Sequence, residues 1–260
     1  MESTSTPETL KPASEPPKII LHWLDRSRAQ RILWLLIELD VPYEIQTYKR
    51  DSGMLAPPAL KAVHPLGKSP TITIDGRPIA ESAFIIEYLC EHFAPRLIPR
   101  KWQDGREGEV GGETEEWMRF RYFMHYAEGS LMSMMVLGII PRMLKSAPAP
   151  FFIRPIISRI AAQLHAALVV PGFATHLPFL EEQLASAPAG GPYLCGAQLT
   201  GADIMISFPL LAARSLPDTS TLTEENFPRL WRYTELLESS PSYKRAVEKV
   251  VELEGEYILI

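Results

Sequence analysis

The sequence predicts an α/β domain followed by an all-helical domain, and three observations lead to this class. The first third of the chain alternates short strand-like and helix-like segments, which is typical of an α/β domain. A stretch rich in proline and glycine, 95–112, then marks a linker. Beyond it, apolar residues recur at three- and four-residue steps, as they do on one face of a helix. The 260 residues, 46% of them hydrophobic, fit two domains or one large one.

The elements of the first domain follow from local patterns. An apolar run at 18–24 predicts a buried strand, and helical spacing over 27–39 predicts a helix that Pro42 ends. The segment 43–49 alternates enough for a second strand. The patterns then predict a short helix, a hairpin of two strands and a further helix, at 57–63, 71–80 and 82–93. The order strand, helix, strand, helix, two strands and helix describes a thioredoxin-like domain.

The segment 64–82 is the most informative part of the chain. Asp75 and Gly76 are the residue pair that a two-residue hairpin turn prefers, and the first strand of the hairpin is entered through Pro70. The second strand ends where the helix at Ser82 begins. Backbone groups before the proline can pair with an extended ligand, and a helix N-terminus can hold the ligand's carboxylate. The segment therefore predicts a binding site for a short peptide.

Helical patterns fill the second part of the chain. Apolar residues from Trp117 to Met134 define one long seam. Thr200 and Asp203 form a capping box that starts a buried helix ending near Leu211, and we assign the pair a structural role. Two further helices are predicted at 231–237 and 243–251.

Charge and composition exclude several function classes. The net charge of −5 and the pI of about 5.8 argue against a nucleic-acid partner. Cys90 and Cys195 lie in apolar runs without metal-type spacing, so we interpret them as small buried hydrophobes in a reducing compartment. The six histidines have no metal-binding spacing, and no metal site is expected. The first seventeen residues lack the features of a signal peptide and predict a disordered tail on a cytoplasmic protein.

Four signals in a fixed order resemble a cytosolic glutathione transferase over about residues 18–255. They are Ser-Pro before the hairpin, Glu-Ser after it, an all-helical second half, and Thr-Gly-Ala-Asp at a helix start. Three runs further resemble the serine-type branch of fungi and bacteria: HWLDRSRAQR at 22–31, HPLGKSP at 64–70 and HYAEGS at 125–130.

This resemblance implies the glutathione transferase fold, with glutathione as co-substrate, no further cofactor, and a homodimer. It divides the chain into a tail, a glutathione-binding domain, a linker, and a helical domain with the second-substrate pocket: 1–17, 18–94, 95–112 and 113–260.

Ser27 is the expected catalytic residue, since its hydroxyl can donate a hydrogen bond to the sulfur of glutathione and favour the thiolate. Lowering the thiol pKa from about 8.5 by roughly two units, ~2.7 kcal/mol, makes the thiolate dominant at neutral pH. Two alternatives stay open: Ser27 is a plain cap of the helix, or Asp25 caps the helix instead of Ser27. Arg26 or Arg28 could approach the sulfur instead, and Arg28 is counted with the glutathione-binding residues. The resemblance implies that Arg31 is an ion-pair partner within the fold.

Five more residues are expected to bind glutathione, according to the resemblance. Ser69, before a cis Pro70, offers its backbone N–H and C=O to the cysteinyl unit, and Lys68 neutralises the glycine carboxylate. Ser82 binds the γ-glutamyl carboxylate, and Glu81 accepts a hydrogen bond from the α-ammonium group.

Four residues on the long helix are candidates for the wall of the second-substrate pocket: Tyr122, Tyr126, Met132 and Met135. Their spacing fits a core or a dimer seam equally well.

The segment from Gly129 to Leu180 contains no Asp or Glu, although the protein is acidic overall. It combines apolar runs with four basic residues and five prolines before position 172, which we expect to prevent one continuous 20-residue span. A buried helical insertion is the favoured interpretation. The alternative is that 131–170 covers a roomy pocket for apolar electrophiles and touches an anionic internal membrane at its periphery.

The sequence features bear on three functions. The leading one is a glutathione transferase that conjugates apolar electrophiles, with peroxidase activity toward organic hydroperoxides as an extension. A thiol reductase needs a cysteine near the first helix, and none precedes Cys90. A non-catalytic regulatory or ligand-binding protein that keeps the fold is the remaining alternative.

Overall fold

The computed structural model describes residues 16–215 and 222–259. Its N-terminal part is a four-stranded mixed sheet in the order β2-β1-β3-β4. β1 runs parallel to β2 and antiparallel to β3, and β3 runs antiparallel to β4. The strands are β1 Ile19–Leu24, β2 Tyr43–Tyr48, β3 Thr71–Ile74 and β4 Arg77–Ala80. The helices are α1 Ala29–Leu39, α2 Ala59–Val63 and α3 Ser82–Phe93. This arrangement confirms the thioredoxin-like prediction; all but two residues of the predicted tail lie outside the described residues.

The hairpin forms as its turn residues predict. Asp75 and Gly76 have φ of 50° and 80°, the left-handed values that a two-residue turn of this kind requires at both positions. The carboxylate of Asp75 accepts a hydrogen bond from the Lys18 N–H at 2.9 Å, and the Asp75 N–H donates to the Lys18 C=O at 3.0 Å. These bonds hold the turn against the start of β1, so the register of the hairpin is fixed at both ends.

Helix α1 is buried on nearly every side, because the sheet covers one face and the helical domain covers the other. Residues 32–36 are completely buried. The indole N–H of Trp34 donates to Ser242 at the start of the last helix, at 2.9 Å. A helix that is covered on both faces belongs in a protein core, and here it also carries the buried polar residues Gln30 and Arg31. The residues at its N-terminus therefore lie where the two halves of the protein meet.

The second half is helical, as predicted. Its helices are α4 Glu115–Tyr126, α5 Ser133–Ser146, α6 Arg154–Leu164, α7 Val170–Ala185, α8 Gly201–Ser215, α9 Pro228–Ser239 and α10 Pro241–Glu254. α8 continues past its predicted end at Leu211 in spite of Pro209, because nearly all of it is buried and tertiary packing supports it. The segment between α3 and α4 contains a 3₁₀ turn at Pro95–Leu97 and an isolated bridge between Trp102 and Glu113.

The predicted long seam is buried from Phe120 to Met134, but the helix that carries it is not regular. A π-helical segment, Ala127–Met132, joins α4 to α5, and a second one, His165–Val169, joins α6 to α7. Such segments insert an extra residue into a helical turn and often occur at functional sites.

The prediction that prolines prevent a long apolar helix is wrong. The stretches Glu115–Ser146 and Arg154–Ala185 are each 32 residues long, and by length and composition alone each could cross a membrane. Pro141 lies inside α5, and Pro155 occupies the first turn of α6, where a proline costs no helical hydrogen bond. Of the five prolines between positions 129 and 172, Pro148 and Pro150 alone lie outside a helix, in the break between α5 and α6.

The favoured interpretation of this region as a buried insertion is also wrong. Many of its large apolar side chains are exposed by 37% or more. They are Val136, Leu137, Ile139, Ile140, Met143, Phe151, Phe152, Ile153, Ile156, Ile160, Leu168 and Val170. The sequence pattern did not reveal this exposure. Apolar residues occur on the solvent side of α5 as well as on its core side, so the pattern does not show which side is buried.

Asp203 has the structural role that the capping box predicts. It is completely buried, and its carboxylate accepts hydrogen bonds from the N–H and hydroxyl of Thr200 at 2.8 and 2.7 Å. It also accepts from the Leu194 N–H at 3.2 Å and from the Tyr233 hydroxyl at 2.7 Å. These bonds tie the start of α8 to α9 and to the preceding loop.

Candidate functional site

Ser27 lies just before α1, and its hydroxyl is part of a short hydrogen-bonded chain. Its Oγ accepts from the Ala29 N–H at 3.2 Å and lies 3.2 Å from the Oγ of Ser69. The Ser69 hydroxyl reaches the His22 C=O at 3.4 Å. The Ser27 oxygen thus supports the first turn of α1 through a lone pair, although Arg28 holds the N-cap position. Because the Ser69 proton goes to the His22 C=O, the Ser27 proton is directed at the Ser69 oxygen, and a ligand sulfur would replace that oxygen as its acceptor. The cap interpretation and the thiol-activating interpretation therefore do not exclude each other.

The loop that carries Ser27 is held by Arg50. The Arg50 guanidinium donates to the C=O groups of Asp25, Arg26 and Met54 at 3.1, 3.2 and 2.9 Å. The Asp25 carboxylate accepts from the backbone N–H of Arg50 at 2.8 Å, so the alternative that Asp25 caps α1 is wrong. Arg26 adopts a left-handed φ of 47° in this turn.

The loop before the hairpin presents free backbone groups next to Ser27. The Ser69–Pro70 peptide bond is cis, as the resemblance implies. Within the described part of the chain, neither the N–H nor the C=O of Ser69 has a hydrogen-bond partner. Lys68 is exposed and forms no ion pair with a described residue, while its C=O accepts from the Thr71 hydroxyl at 2.9 Å. An extended ligand strand can therefore pair with Ser69 without displacing a protein contact.

Helix α3 begins beside this loop. Glu81 is exposed and has a φ of 73° and a ψ of 117°, a conformation that is strained for a residue other than glycine. This sharp turn places Ser82 at the first position of α3, where it is 5% exposed. The Ser82 Oγ accepts from the guanidinium of Arg31 at 3.0 Å, so its proton is left for a ligand. Strain of this kind clusters at binding sites, where it positions groups in advance.

Arg31 connects the two halves of the protein behind the site. Its side chain is completely buried and donates to the Met205 C=O at 2.6 Å, to Ser82 and to the carboxylate of Glu128. Burial lowers the pKa of Arg31 to about 10, and the nearby Glu128 charge opposes that change, so the guanidinium stays charged at neutral pH. The prediction that Arg31 is an ion-pair partner within the fold is confirmed.

Glu128 is a residue of this site that the sequence did not identify. It lies in the π-helical segment and pairs with Arg31 and also with Arg28, whose Nη1 lies 2.5 Å from its carboxylate. Burial raises the pKa of Glu128, but Arg31 and Arg28 together outweigh burial and hold the pKa below its usual value. Its position in the run 125–130 was the only sequence signal. Arg28, predicted to bind glutathione, is thus held by a protein carboxylate.

A cavity of about 350 Å³ opens beside Ser27. Charged residues of both signs line it: Asp25, Arg26, Lys49, Arg50, Asp51, Glu254 and Glu256. The segment after α10, which includes Tyr257 and Ile258, forms one side. The indole N–H of Trp23 donates to Glu254 at 2.9 Å, which holds the end of α10 against β1.

Gln30, which also lines this cavity, is a second residue that sequence reasoning missed. It is 3% exposed, and neither the Nε2 nor the Oε1 of its side chain has a hydrogen-bond partner among the described residues. A buried amide without partners costs free energy, so its presence at the cavity beside Ser27 suggests that a ligand completes its hydrogen bonds. The spacing of three residues from Ser27 was the only available signal.

The four candidates for the second-substrate pocket differ in exposure to solvent. Tyr122 is 50% exposed and stacks on Tyr126, whose hydroxyl lies 2.7 Å from Nδ1 of His176. Burial raises the pKa of Tyr126. Met132 and Met135 are buried in the helical core. Their role in a pocket stays a prediction.

The two cysteines are buried, and burial raises the pKa of Cys90 to about 12 and that of Cys195 further. Neither thiol is therefore a ready nucleophile at neutral pH. No cluster of three or more His, Cys, Asp or Glu residues suited to a metal occurs in the part of the chain that the structure describes.

The fold and the site together define a class of protein: a thioredoxin-like half with backbone groups beside Ser27 that pair with no described residue, completed by a helical half. Family models agree with this class. Residues 26–92 match the N-terminal domain of glutathione S-transferases, and residues 157–236 match the C-terminal domain. The chain belongs to the glutathione S-transferase family.

Relatives cover nearly the whole chain. Glutathione S-transferase 1 of Saccharomyces cerevisiae is 32% identical over 239 residues, which span 90% of this chain and 95% of the relative. Glutathione S-transferase 3 of Schizosaccharomyces pombe is 32% identical and spans 89% of this chain and 88% of the relative.

Solved structures agree on the fold. A glutathione S-transferase from Actinobacillus pleuropneumoniae superposes with a TM-score of 0.62 at 29% identity, covering 89% of this chain and 92% of that one. A glutathione transferase from Phanerochaete chrysosporium, solved with oxidized glutathione, has a TM-score of 0.63 at 16% identity and covers 94% and 100%. At that identity the second likeness supports the fold alone.

Proposed function

We propose that this protein is a glutathione transferase that binds glutathione between the cis-proline loop and the starts of α1 and α3, and that Ser27 activates the thiol. The observation that carries the proposal is the convergence of Ser27, the free backbone of Ser69 and the hydroxyl of Ser82 at the meeting point of the two halves. The family membership makes glutathione the short peptide that fits.

The charges around this edge suit the tripeptide. The cysteinyl unit pairs with the N–H and C=O of Ser69. The γ-glutamyl carboxylate receives hydrogen bonds from the Ser82 hydroxyl and the N-terminal N–H groups of α3, and the dipole of that helix favours its negative charge. Glu81 accepts from the α-ammonium group, and Lys68 neutralises the glycine carboxylate.

The chemistry then depends on the proton of Ser27. The Ser27 oxygen accepts from the Ala29 N–H, which polarises the hydroxyl and strengthens its donation to sulfur. A thiol pKa lowered from about 8.5 by two units raises the thiolate fraction at pH 7 from about 3% to about 75%. The thiolate forms a carbon–sulfur bond with an apolar electrophile, and the leaving group departs with its electron pair. With an organic hydroperoxide, the thiolate takes one oxygen and releases the alcohol, and a second glutathione reduces the resulting sulfenic acid to give glutathione disulfide and water.

The same proposal includes a homodimer in the cytoplasm. The homodimer is expected from the family resemblance, and sedimentation of the purified chain tests it directly.

Calorimetric titration with glutathione tests the binding site. Because hydrogen bonds to charged groups contribute about 1.5–3 kcal/mol, Ser82→Ala and Lys68→Met are each expected to weaken binding about 10- to 100-fold. Lys244→Met, at an exposed lysine at the start of α10, is the matched control and should bind normally. If the unaltered protein binds no glutathione, the proposal is wrong, and a role outside glutathione chemistry takes its place.

Gln30→Leu is expected to change stability and binding in opposite directions. Removing an unpartnered buried amide should raise the free energy of unfolding by about 1–3 kcal/mol, because the leucine has no polar group to leave unsatisfied. Loss of the same amide should weaken glutathione binding about tenfold if the ligand completes its hydrogen bonds. Urea unfolding and calorimetric titration measure the two effects.

Gln46→Leu, on the exposed face of β2, is the control for this experiment and should change neither quantity appreciably. Unchanged glutathione affinity in Gln30→Leu would show that the Gln30 amide does not contact the ligand.

A further inference from the structure

The hairpin formed by α5 and α6 carries an exposed apolar surface that the glutathione site does not use. We define the apolar hairpin as residues 133–164. Val136, Ile139, Ile140 and Met143 occupy positions i, i+3, i+4 and i+7 on α5 and are 40% or more exposed. These positions form one continuous stripe on the solvent side of the helix.

The stripe continues over the tip of the hairpin. Phe151 and Phe152 lie between the two helices and are 83% and 64% exposed. On α6, Ile156 and Ile160 repeat the helical spacing with 60% and 46% exposure. Contiguous exposed apolar surface of this kind is uncommon on a soluble monomer and marks an interaction site.

One side of α5 belongs to the protein core, and α6 rests on α5. Met134 and Met135 on α5 are 6% and 5% exposed and belong to the main hydrophobic cluster. Ala161 on α6 is completely buried. Because one side of α5 packs against the protein and α6 packs chiefly on α5, the hairpin is anchored to the protein and is suited to lying on a surface rather than spanning a membrane.

The charges on the hairpin have one sign. Lys145 at the end of α5, and Arg154 and Arg159 on α6, are all exposed. No Asp or Glu occurs from Gly129 to Leu180, although the whole chain carries a net charge of −5. The basic residues are thus concentrated where the apolar side chains are exposed.

We propose that the apolar hairpin docks at the periphery of an anionic lipid surface, with Phe151 and Phe152 inserted at the boundary between headgroups and acyl chains. Exposed aromatic and aliphatic side chains enter that boundary, and lysine and arginine beside them attract anionic headgroups. A second copy of the chain fits this face less well, because an isologous contact would bring two basic faces together.

Flotation of the full chain with phosphatidylcholine vesicles, with or without phosphatidylserine, tests the proposal. At low salt the protein should float with the vesicles that contain phosphatidylserine, and much less with neutral ones. Phe151→Ser combined with Phe152→Ser, and separately Lys145→Glu combined with Arg154→Glu, should each lower the bound fraction at least tenfold. All four positions are exposed, so the variants should keep the fold, which circular dichroism checks.

The controls alter equally exposed residues elsewhere: Val110→Ser in the segment before α4 and Arg77→Glu on β4 should bind vesicles like the unaltered protein. Absence of flotation at low salt would overturn the proposal, as would equal binding to neutral vesicles. It would also be overturned if the paired serine variant turned a dimer into a monomer in sedimentation while vesicle binding stayed unchanged, since the face would then be an interface between copies.

Discussion

Ser27→Ala should lower kcat/KM for conjugation about 20- to 30-fold at pH 7, because the pKa of bound glutathione returns toward about 8.5 and the thiolate fraction falls accordingly. The variant loses the hydroxyl that accepts from the Ala29 N–H in the first turn of α1 and lies 3.2 Å from the Ser69 Oγ. Titration of thiolate absorbance in the glutathione complex measures the pKa directly.

The pH dependence separates loss of activation from loss of binding. If Ser27 stabilises the thiolate, kcat/KM for the electrophile at saturating glutathione should reach its plateau in the parent about two pH units below that of Ser27→Ala. The kcat/KM values of the two proteins should converge above about pH 9. A merely structural effect of the lost cap, about 0.5–2 kcal/mol of stability, would lower the rate equally at every pH.

Ser239→Ala, at an exposed serine at the end of α9, is the control and should leave the profile unchanged. A thiol pKa that stays low in Ser27→Ala would contradict the role of Ser27. Activation would then belong to the N-terminus of α1 or to the side chain of Arg26, which lines the same cavity.

The first domain could be predicted from the sequence because its signals are local. The pair Asp75-Gly76 specifies a turn, and the apolar residues of α1 specify a buried helix, whatever the rest of the chain does. The hairpin and the helix that follows it were accordingly predicted correctly, whereas the ion pairing of Arg31 came from the family resemblance. The cis bond before Pro70 came from the resemblance, since such bonds are too rare to be inferred from one sequence.

The features that were missed depend on contacts between distant segments. Glu128 reaches Arg31 across 97 positions of the chain, from a π-helical segment that the apolar spacing does not reveal. Gln30 is notable because no group among the described residues forms a hydrogen bond with its side-chain amide, and one sequence does not show such an absence. The exposure of the apolar hairpin likewise depends on which face of α5 the core covers, and an apolar composition alone favours burial.

Glu128→Gln should lower the free energy of unfolding by about 3–5 kcal/mol, because it leaves the guanidinium of Arg31 buried without a counter-charge. Glu252→Gln, which breaks the exposed pair with Lys249, should cost no more than about 1 kcal/mol. Urea unfolding measures both. Similar losses in the two variants would contradict the argument that burial of Arg31 sets the size of the effect.

Glutathione binding should weaken in Glu128→Gln as well, since Arg31 holds the Ser82 hydroxyl in place. Combining Glu128→Gln with Arg31→Met should cost less than the sum of the two single changes, because the second change removes the charge that the first one left unpaired. An additive result would show that the two side chains act independently.

The pH dependence of stability gives this ion pair a separate test. Arg31 and Arg28 outweigh burial and hold the pKa of Glu128 below its unfolded value, which is about 4.3. A carboxyl with a lowered pKa in the folded state adds stability that is fully present above the unfolded pKa and is lost as pH falls through the folded one. Below about pH 4.3 the unaltered protein should therefore lose stability more steeply than Glu128→Gln does. The difference between their free energies of unfolding should narrow as the pH falls. Parallel curves from pH 7 to pH 3 would mean that Glu128 is not the carboxylate that compensates Arg31.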